Sequence, residues 1–269
     1  MNNKILHSAV LGALLIGSTS AMATGFVTLP ATGVAVPGGT SAYVTCNLTG
    51  DFGSLESVPP TFSPGGGLNN TCAVPSRTPP IAGYTQTANT VRTISINNRN
   101  IGTVTDRVWR SGTNCIYGAR IHMAQVDYNP NAAGNQYFEV NDLQRAGYRN
   151  RGPISAAYYF GAVADEVLFR VGLTLTAVIH QPGDSAQPLT SIAPISQNWV
   201  DFTSDLNSFD PDGSSLPDSA WLFVKSTCTT AAPTSLTGAI RLRQTGQEGQ
   251  PNLTITLPGY APAGANTTP

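Results

Sequence analysis

The segment from residue 167 to residue 180 alternates between two kinds of side chain more regularly than any other part of the chain. Every second residue in it is apolar, and these residues are Val167, Phe169, Val171, Leu173, Leu175, Ala177 and Ile179. Successive side chains of a strand point to opposite faces of a sheet, so a period of two predicts a β-strand with one buried face. Because strands usually span three to ten residues, we expect this one to bend at Gly172.

Shorter runs of the same kind recur along the chain and are separated by turn sequences. From Val91 they read VRTISI, IGTVTDRVW and CIYGARIHMAQV, with NNRN and RSGTN between them, and later NWVDFT, AWLFVK, GAIRLRQ and NLTITL. The segment VNDLQRAGY is the best helix candidate, with Asn141 as N-cap and Gly147 as its end. About ten strands, one short helix and long Gly/Pro-rich loops predict an all-β protein, an antiparallel β-sandwich or jelly roll.

The first 23 residues have the features of a secretory signal peptide. Lys4 supplies a basic start, an apolar run follows from Ile5 to Ile16, and Ala21 and Ala23 form the A-x-A pattern of a cleavage site. This run is shorter than the roughly 20 residues that span a bilayer, and no later segment is long and apolar enough, so we expect no transmembrane segment. The mature protein is therefore predicted to be exported, to the periplasm, the extracellular space or the cell surface.

Residues 24–257 are predicted to form a single β-sandwich domain, because their length suits one large β domain. Within them, residues 24–40 contain short apolar runs interrupted by Pro30 and Pro37. Prolines confine such segments to sheet edges or to extended arms, so an N-terminal extended arm is predicted there. Residues 258–269 are predicted to be a flexible tail.

All four cysteines follow the signal peptide, and an even number in an oxidising compartment predicts two disulfides. No pair has the C-x-x-C spacing that is typical of redox-active or metal-binding motifs. Of the three possible connectivities we favour Cys46 with Cys72 and Cys115 with Cys228. The first pair would fasten the Gly/Pro-rich loop that it encloses.

Charge is scarce in this chain and unevenly distributed. Charged residues make up 11%, the net charge is −1, and a nucleic-acid partner is not expected because it requires a basic face. Six arginines but one acid lie between Arg77 and Arg120, whereas five aspartates and no base lie between Asp201 and Asp218. Either these segments are neighbours in one fold and neutralise each other, or they lie at opposite ends of the protomer and meet between copies.

Few residues are suited to catalysis, so the protein is expected not to be an enzyme. The mature chain has two histidines, His122 and His180, and each is predicted to lie on the outer face of a strand. Neither a G-x-S-x-G elbow nor an H-E-x-x-H motif occurs. Asp165 and Glu166 form the only adjacent acidic pair, and neighbours on a strand point to opposite faces. A hydrolase whose site assembles from distant residues remains the least favoured class.

Two short segments are candidates for ligand binding. Tyr158, Tyr159 and Phe160 could form an aromatic platform for a sugar ring, or they could be core and edge packing. In DLNSFDPDGSS, the oxygens of Asp205, Asn207, Asp210 and Asp212 could hold a Ca²⁺ ion weakly, although no glutamate occupies the last position of an EF-hand loop. The other interpretation of this segment is an Asx-type turn before Trp221.

These observations favour an exported, non-enzymatic β protein with a structural or surface-interaction role. Its partner could be a second copy of itself, with the N-terminal arm adding a strand to the open sheet edge of a neighbour and the polarised charges meeting between copies, as in a filament. The alternative is a secreted module that binds a cell-surface glycan or Ca²⁺, the one candidate cofactor.

Overall fold

The structure is a computed structural model that describes residues 25–36, 38–45, 72, 74–159, 165–166, 170–176, 192–209, 217–245 and 251–269. This part of the chain contains sixteen strands and no helix. The strands are β1 (Val27–Thr28), β2 (Val34–Val36), β3 (Gly39–Ser41), β4 (Tyr43–Thr45), β5 (Thr85–Ile96), β6 (Arg99–Ser111), β7 (Asn114–Met123), β8 (Val140–Ala146), β9 (Ser155–Tyr159), β10 (Asp165–Glu166), β11 (Arg170–Gly172), β12 (Trp199–Leu206), β13 (Asp218–Ser219), β14 (Trp221–Thr227), β15 (Thr234–Thr245) and β16 (Asn252–Ala261).

The strands form two main sheets, which confirms the predicted all-β, sandwich-like architecture. The first sheet has the order β1-β9-β14-β7-β6-β5, with β13 beside the last part of β7 and β10 beside β13. The second sheet has the order β16-β15-β8-β12-β11-β4, and β2 and β3 form a separate hairpin. Every pairing between these strands is antiparallel except that of β10 with β13.

One hydrophobic core joins the two sheets. Buried side chains of the first sheet pack with those of the second; among them are Val104, Tyr117, Ile121, Leu143, Phe202 and Leu242. Each alternates along its strand with a residue on the opposite face, as a half-buried strand requires. Removing a side chain of this size from water contributes about 1.5–3 kcal/mol, so this core is the main source of stability.

Two-residue turns connect β5, β6 and β7 and fix the register of this long meander. Asn97 and Asn98 both have positive φ angles, of 50° and 61°, between the paired residues Ile96 and Arg99. Asparagine tolerates this left-handed conformation better than other non-glycine residues, which is why the NNRN segment turns as predicted. Gly112, with φ of 57°, lies in the next turn.

The predicted helix at VNDLQRAGY is wrong, since this segment is β8. All seven residues of β8 are buried, and the strand pairs with β12 on one side and β15 on the other. Asn141 and Gly147 suggested the two ends of a short helix, but Asn141 is a buried residue of the strand and Gly147 follows the strand directly. A strand at the centre of a sheet is held by two ladders of backbone hydrogen bonds, and these outweigh the local helix signals.

The alternating segment that begins at Val167 forms a strand only over Arg170–Gly172 in the part that the structure describes. The strand ends at Gly172, where a bend was expected. A Cβ atom there would lie 2.6 Å from the carbonyl oxygen of Ala42, so the close pairing of β11 with β4 requires glycine. Residues 167–169 and 177–180 lie outside the described residues.

Both ends of the predicted domain are more integrated than the sequence indicated. In the predicted arm, β1 pairs with β9 of its own sheet, and the amide of Leu29 donates to the carbonyl of Ile154 at 2.8 Å. In the predicted tail, β16 continues to Ala261, and Asn198 donates to the carbonyl oxygens of Asn266 and Thr268. The predicted signal peptide, residues 1–23, lies outside the described residues.

Candidate functional site

One predicted disulfide, Cys115–Cys228, is confirmed. The two Cα atoms are 5.7 Å apart, and the bond links β7 to the residue that follows β14 across a sequence separation of 113. Cys72 is also disulfide-bonded. Its predicted partner, Cys46, lies outside the described residues, so that pairing stays a prediction.

The residues considered for catalysis and sugar binding are dispersed. The His122 side chain is 56% exposed, and its Nδ1 lies 3.1 Å from Oδ1 of Asp218. Tyr158 is fully buried in the core between the sheets, so its ring is not available to a ligand, whereas Tyr159 is half-buried against a second apolar cluster that contains Trp221. His180 and Phe160 lie outside the described residues.

The candidate calcium loop is described only at its start. Asp205 belongs to β12, and Asn207 follows the end of that strand and is 1% exposed. The side-chain oxygen of Asn207 is buried and has no hydrogen-bond partner among the residues that the structure describes. Asp210 and Asp212 lie outside the described residues, and the part of the chain that is described holds no group of three or more His, Cys, Asp or Glu side chains suited to a metal ion.

The basic and acidic segments of the sequence touch each other within one protomer. Arg120 on β7 lies beside β13, where its Nη2 is 3.7 Å from Oδ1 of Asp218 and its Nε donates to the carbonyl of Ser219 at 3.1 Å. Four other arginines of the basic segment donate to acceptors within the protomer but outside the acidic segment; they are Arg92, Arg99, Arg107 and Arg110. The contact between Arg120 and Asp218 favours the interpretation in which the two segments are neighbours.

A buried ion pair that the sequence analysis missed fastens the two sheets together. Asp106 on β6 accepts hydrogen bonds from Nη2 of Arg145 at 2.6 Å, from Nε of Arg92 at 3.1 Å and from the amide of Tyr260 at 2.7 Å. Arg145 on β8 also donates to the carbonyl oxygen of Tyr260 at 2.8 Å. Because Asp106 is fully buried and Arg145 is 1% exposed, this network connects the sheets through their interior.

A second buried polar cluster lies on the other side of the second sheet. Asp201 on β12 accepts a 2.5 Å hydrogen bond from the Tyr43 hydroxyl on β4, and the side chains of Asp142 and Gln144 on β8 lie near enough to affect its pKa. Burial raises the pKa of Asp201 to about 7, while the hydrogen bonds from these neighbours and the charge of Arg243 act in the opposite direction. A buried carboxyl group of this kind favours its protonated form, because ionisation away from water is costly.

The segment Leu173–Thr176 closes this cluster. The Tyr43 hydroxyl lies 2.7 Å from the carbonyl oxygen of Thr176, and the carbonyl of Leu175 accepts from Nε2 of Gln144 at 3.0 Å and from Nη1 of Arg243 at 3.4 Å. Perturbed carboxyl groups are frequent in active sites, but they also occur in structural networks. Because this cluster is fully buried beneath hydrogen-bonded backbone, we interpret it as a structural network and not as a site that admits substrate.

Among the strands that the structure describes, the longest sheet edge without a partner is the outer edge of β5. This strand has 12 residues, and in the described structure it pairs with β6 alone. Its sequence, TQTANTVRTISI, contains no proline, glycine or lysine. Val91, at its centre, is 62% exposed. An edge of this kind presents a row of backbone N–H and C=O groups to any strand that can pair with it.

The only charged residue of β5, Arg92, is already paired inside the protomer. Its Nε donates to Asp106, its guanidinium lies 5.1 Å from the centre of the Tyr260 ring, and its side chain is 11% exposed. The sequence analysis identified part of this strand, but it did not place it at an edge. Strand order depends on pairings between distant segments, and local periodicity carries no information about them.

Comparison with protein-family models, with curated proteins and with solved structures finds no match for this chain. The described residues include no helix that is long and apolar enough to cross a membrane.

Proposed function

We propose that this protein is an exported, non-enzymatic β-sandwich with a structural or surface-interaction role, and that copies of it associate through an open sheet edge. The observation that carries the proposal is the uncovered edge of β5, which is 12 residues long. Soluble β proteins usually shorten or block such edges, because an open edge can pair with another chain. A long open edge is therefore expected where pairing is the function.

The usual protective devices are few on β5. Its pairing with β6 is irregular between Gln86 and Ala88 and between Ile94 and Ser95, and it is regular from Ala88 to Ile94. Bulges at the two ends leave this central stretch available to a partner strand. Lysine and proline, which commonly discourage edge pairing, do not occur in it.

The other edges of the two sheets are poorer candidates. β1 has two residues and β4 has three, so neither offers a long ladder. β16 has ten residues but includes Pro258, which has no N–H group to donate. The edge of β5 is therefore the best place for a partner strand.

The two routes to assembly that the sequence indicated have weaker support than β5. The N-terminal arm is engaged within its own protomer, where β1 pairs with β9 and Phe26 packs against Phe223 with ring centroids 6.4 Å apart. The basic segment contacts the acidic one in the same protomer through Arg120 and Asp218. Neither feature is left free for a neighbour in the way that β5 is.

Export is supported by the signal-peptide pattern of residues 1–23 and by the Cys115–Cys228 disulfide, since disulfides persist in oxidising compartments. Cell fractionation and mass analysis of the expressed protein test this part of the proposal. We expect the protein outside the cytoplasm with Thr24 as its first residue. A full-length cytoplasmic form would refute export.

Sedimentation velocity of the protein that begins at Thr24 tests self-association. We expect larger species to grow at the expense of monomer as concentration rises. If the protein remains a single monomeric species up to its solubility limit, the self-association part of the proposal fails.

Calcium binding is a second candidate function, and Asn207 is the observation that favours it. A buried side-chain oxygen without a hydrogen-bond partner costs free energy unless a cation or a water molecule satisfies it. Asn207 lies next to Asp210 and Asp212 in the sequence, and extracellular calcium modules bind weakly through such oxygens. A melting temperature that is the same in calcium chloride and in EGTA would reject this candidate.

A further inference from the structure

We infer that the partner at the edge of β5 is a second copy of the same chain, whose β5 pairs antiparallel with the first about a twofold axis. This inference rests on the proposed function of self-association and names the surface and the partner. The first sheet of one copy would then join the first sheet of the other copy, forming one continuous sheet across the dimer.

The geometry of β5 allows it to pair with itself. A twofold contact uses the same surface on both copies, so a single self-complementary strand is sufficient. The central stretch from Ala88 to Ile94 keeps a regular register with β6, which leaves the outward-pointing N–H and C=O groups evenly placed for a second ladder. Antiparallel pairing is also the arrangement of its existing contact with β6.

The side chains of β5 match when the strand meets its own copy. Asn89, Val91 and Thr93 point to the exposed face, whereas Thr90, Arg92 and Ile94 point toward the second sheet and are more buried. Antiparallel self-pairing places each face beside the same face of the other copy, so exposed residues stay exposed and covered residues become more covered. A partner strand whose exposed and buried residues alternate differently would have to place polar side chains over the core.

Charge does not oppose this pairing. Like charges directly opposite each other on neighbouring strands are destabilising. Arg92 is the only charged residue of β5, and its guanidinium points toward Asp106, whose carboxylate it shares with Arg145. A strongly charged partner would find no row of complementary charges along the strand, whereas a second β5 brings only one arginine of its own.

The side of the sandwich next to β5 also carries apolar surface that a second copy would cover. β16 is the edge strand of the second sheet on this side, since its Tyr260 hydroxyl lies 2.7 Å from Oγ1 of Thr90. Of the seven partly buried hydrophobic residues that pack against the main core, four belong to these two edge strands; they are Ala88, Ile96, Leu253 and Tyr260. Their remaining exposed area gives the contact a hydrophobic component beyond the backbone ladder.

The substitution Val91→Lys tests the twofold contact, and Thr105→Lys is the matched control. Thr105 is the partner of Val91 on β6 and shares its face, so the control adds the same charge one strand farther from the edge. In the register that pairs Val91 with Val91 of the second copy, at the centre of the regular stretch, strands about 4.8 Å apart would place the two added charges about 5 Å apart for position 91 and roughly 14 Å apart for position 105. Physiological salt screens charges beyond about 8 Å, so the substitution at position 105 should have little effect.

We expect Val91→Lys to remain monomeric at concentrations where the wild type and Thr105→Lys both sediment as dimers or larger species. Melting temperatures of the two variants close to that of the wild type would show that both fold. If Val91→Lys assembles as well as the control, the inference is overturned while self-association stands. If the wild type itself stays monomeric, a second copy is not the partner, and the self-association in the proposed function fails with it.

Discussion

The hydroxyl group of Tyr43 donates a 2.5 Å hydrogen bond to the carboxyl group of Asp201, although the two residues are 158 positions apart in the sequence. The bond joins β4 to β12 across β11, and both side chains are fully buried. A carboxyl group enclosed in this way is more stable with its proton than without it. The burial of this carboxyl group therefore makes the stability of the fold sensitive to pH.

We predict that the free energy of unfolding decreases as pH rises from about 4 to about 7, because Asp201 loses its proton over this range. In the folded protein the pKa of Asp201 is raised from 3.8 to about 7, so the folded state holds a proton that the unfolded chain has lost. The stabilisation is complete below the unfolded pKa and is lost as pH rises through the folded pKa. Melting curves of the wild type and Asp201→Asn across this window measure the effect.

Asn at position 201 can still accept the Tyr43 bond but does not ionise. We therefore expect the melting temperature of Asp201→Asn, relative to the wild type, to increase steadily with pH. Asp127→Asn, which removes a partly exposed carboxyl group, controls for the loss of one acid. A difference between Asp201→Asn and the wild type that is constant with pH would contradict this account of the cluster.

Removing the Tyr43 hydroxyl should destabilise the protein. It should also shift the pH range in which stability is lost to higher pH. The hydrogen bond from Tyr43 lowers the pKa of Asp201, so Tyr43→Phe should raise that pKa further. Losing the hydroxyl leaves the buried carboxyl group of Asp201 without this partner, which should cost about 1–3 kcal/mol. Urea unfolding at several pH values checks both effects, and a variant as stable as the wild type would show that the bond contributes little.

Asp106→Ala should be among the most destabilising single substitutions in this chain. It leaves the guanidinium of Arg145 buried without its carboxylate, and breaking a buried ion pair typically costs about 3–5 kcal/mol. Arg92→Ala removes a partner of the same carboxylate that is closer to the surface, so its cost should be smaller. Chemical denaturation of the two variants gives the comparison, and equal costs would argue against an interior role for Arg145.

The disulfide between Cys115 and Cys228 should contribute substantially to stability. It closes a loop of more than one hundred residues, and removing a native disulfide typically costs about 2–5 kcal/mol. The double variant Cys115→Ser, Cys228→Ser leaves the other two cysteines unchanged. We expect a lower denaturation midpoint with a steeper slope, because the unfolded chain is then less compact, and an unchanged midpoint would contradict the prediction.

Local sequence patterns predicted most strands and turns, because these elements depend mainly on residues that are neighbours in the sequence. The turn at Asn97 and Asn98 follows from the tolerance of asparagine for positive φ angles, and the strands around it follow from alternation. The same logic failed at β8, where Asn141 and Gly147 resemble the two ends of a short helix when the distant partners of the strand are ignored. Arg145 finds Asp106 across 39 positions, and no local pattern records that contact.

The candidate sites were predicted less well than the fold, for a related physical reason. Asp201 stood out in the sequence only as one member of an acidic segment, because its burial depends on Tyr43 and on the segment around Leu175. The position of β5 at an edge depends on which strands pair with which. Composition shows that β5 has little charge, but only the strand order shows that its outer edge has no partner in the described part of the chain.

Hydrogen exchange of the β5 amides at rising protein concentration tests the central claim most directly. If copies pair through β5, amides in Thr85–Ile96 that point away from β6 should exchange more slowly as the protein assembles, while those of the interior strand β14 should not change. Exchange at β5 that is equally fast at every concentration, in a protein that nevertheless assembles, would contradict the account.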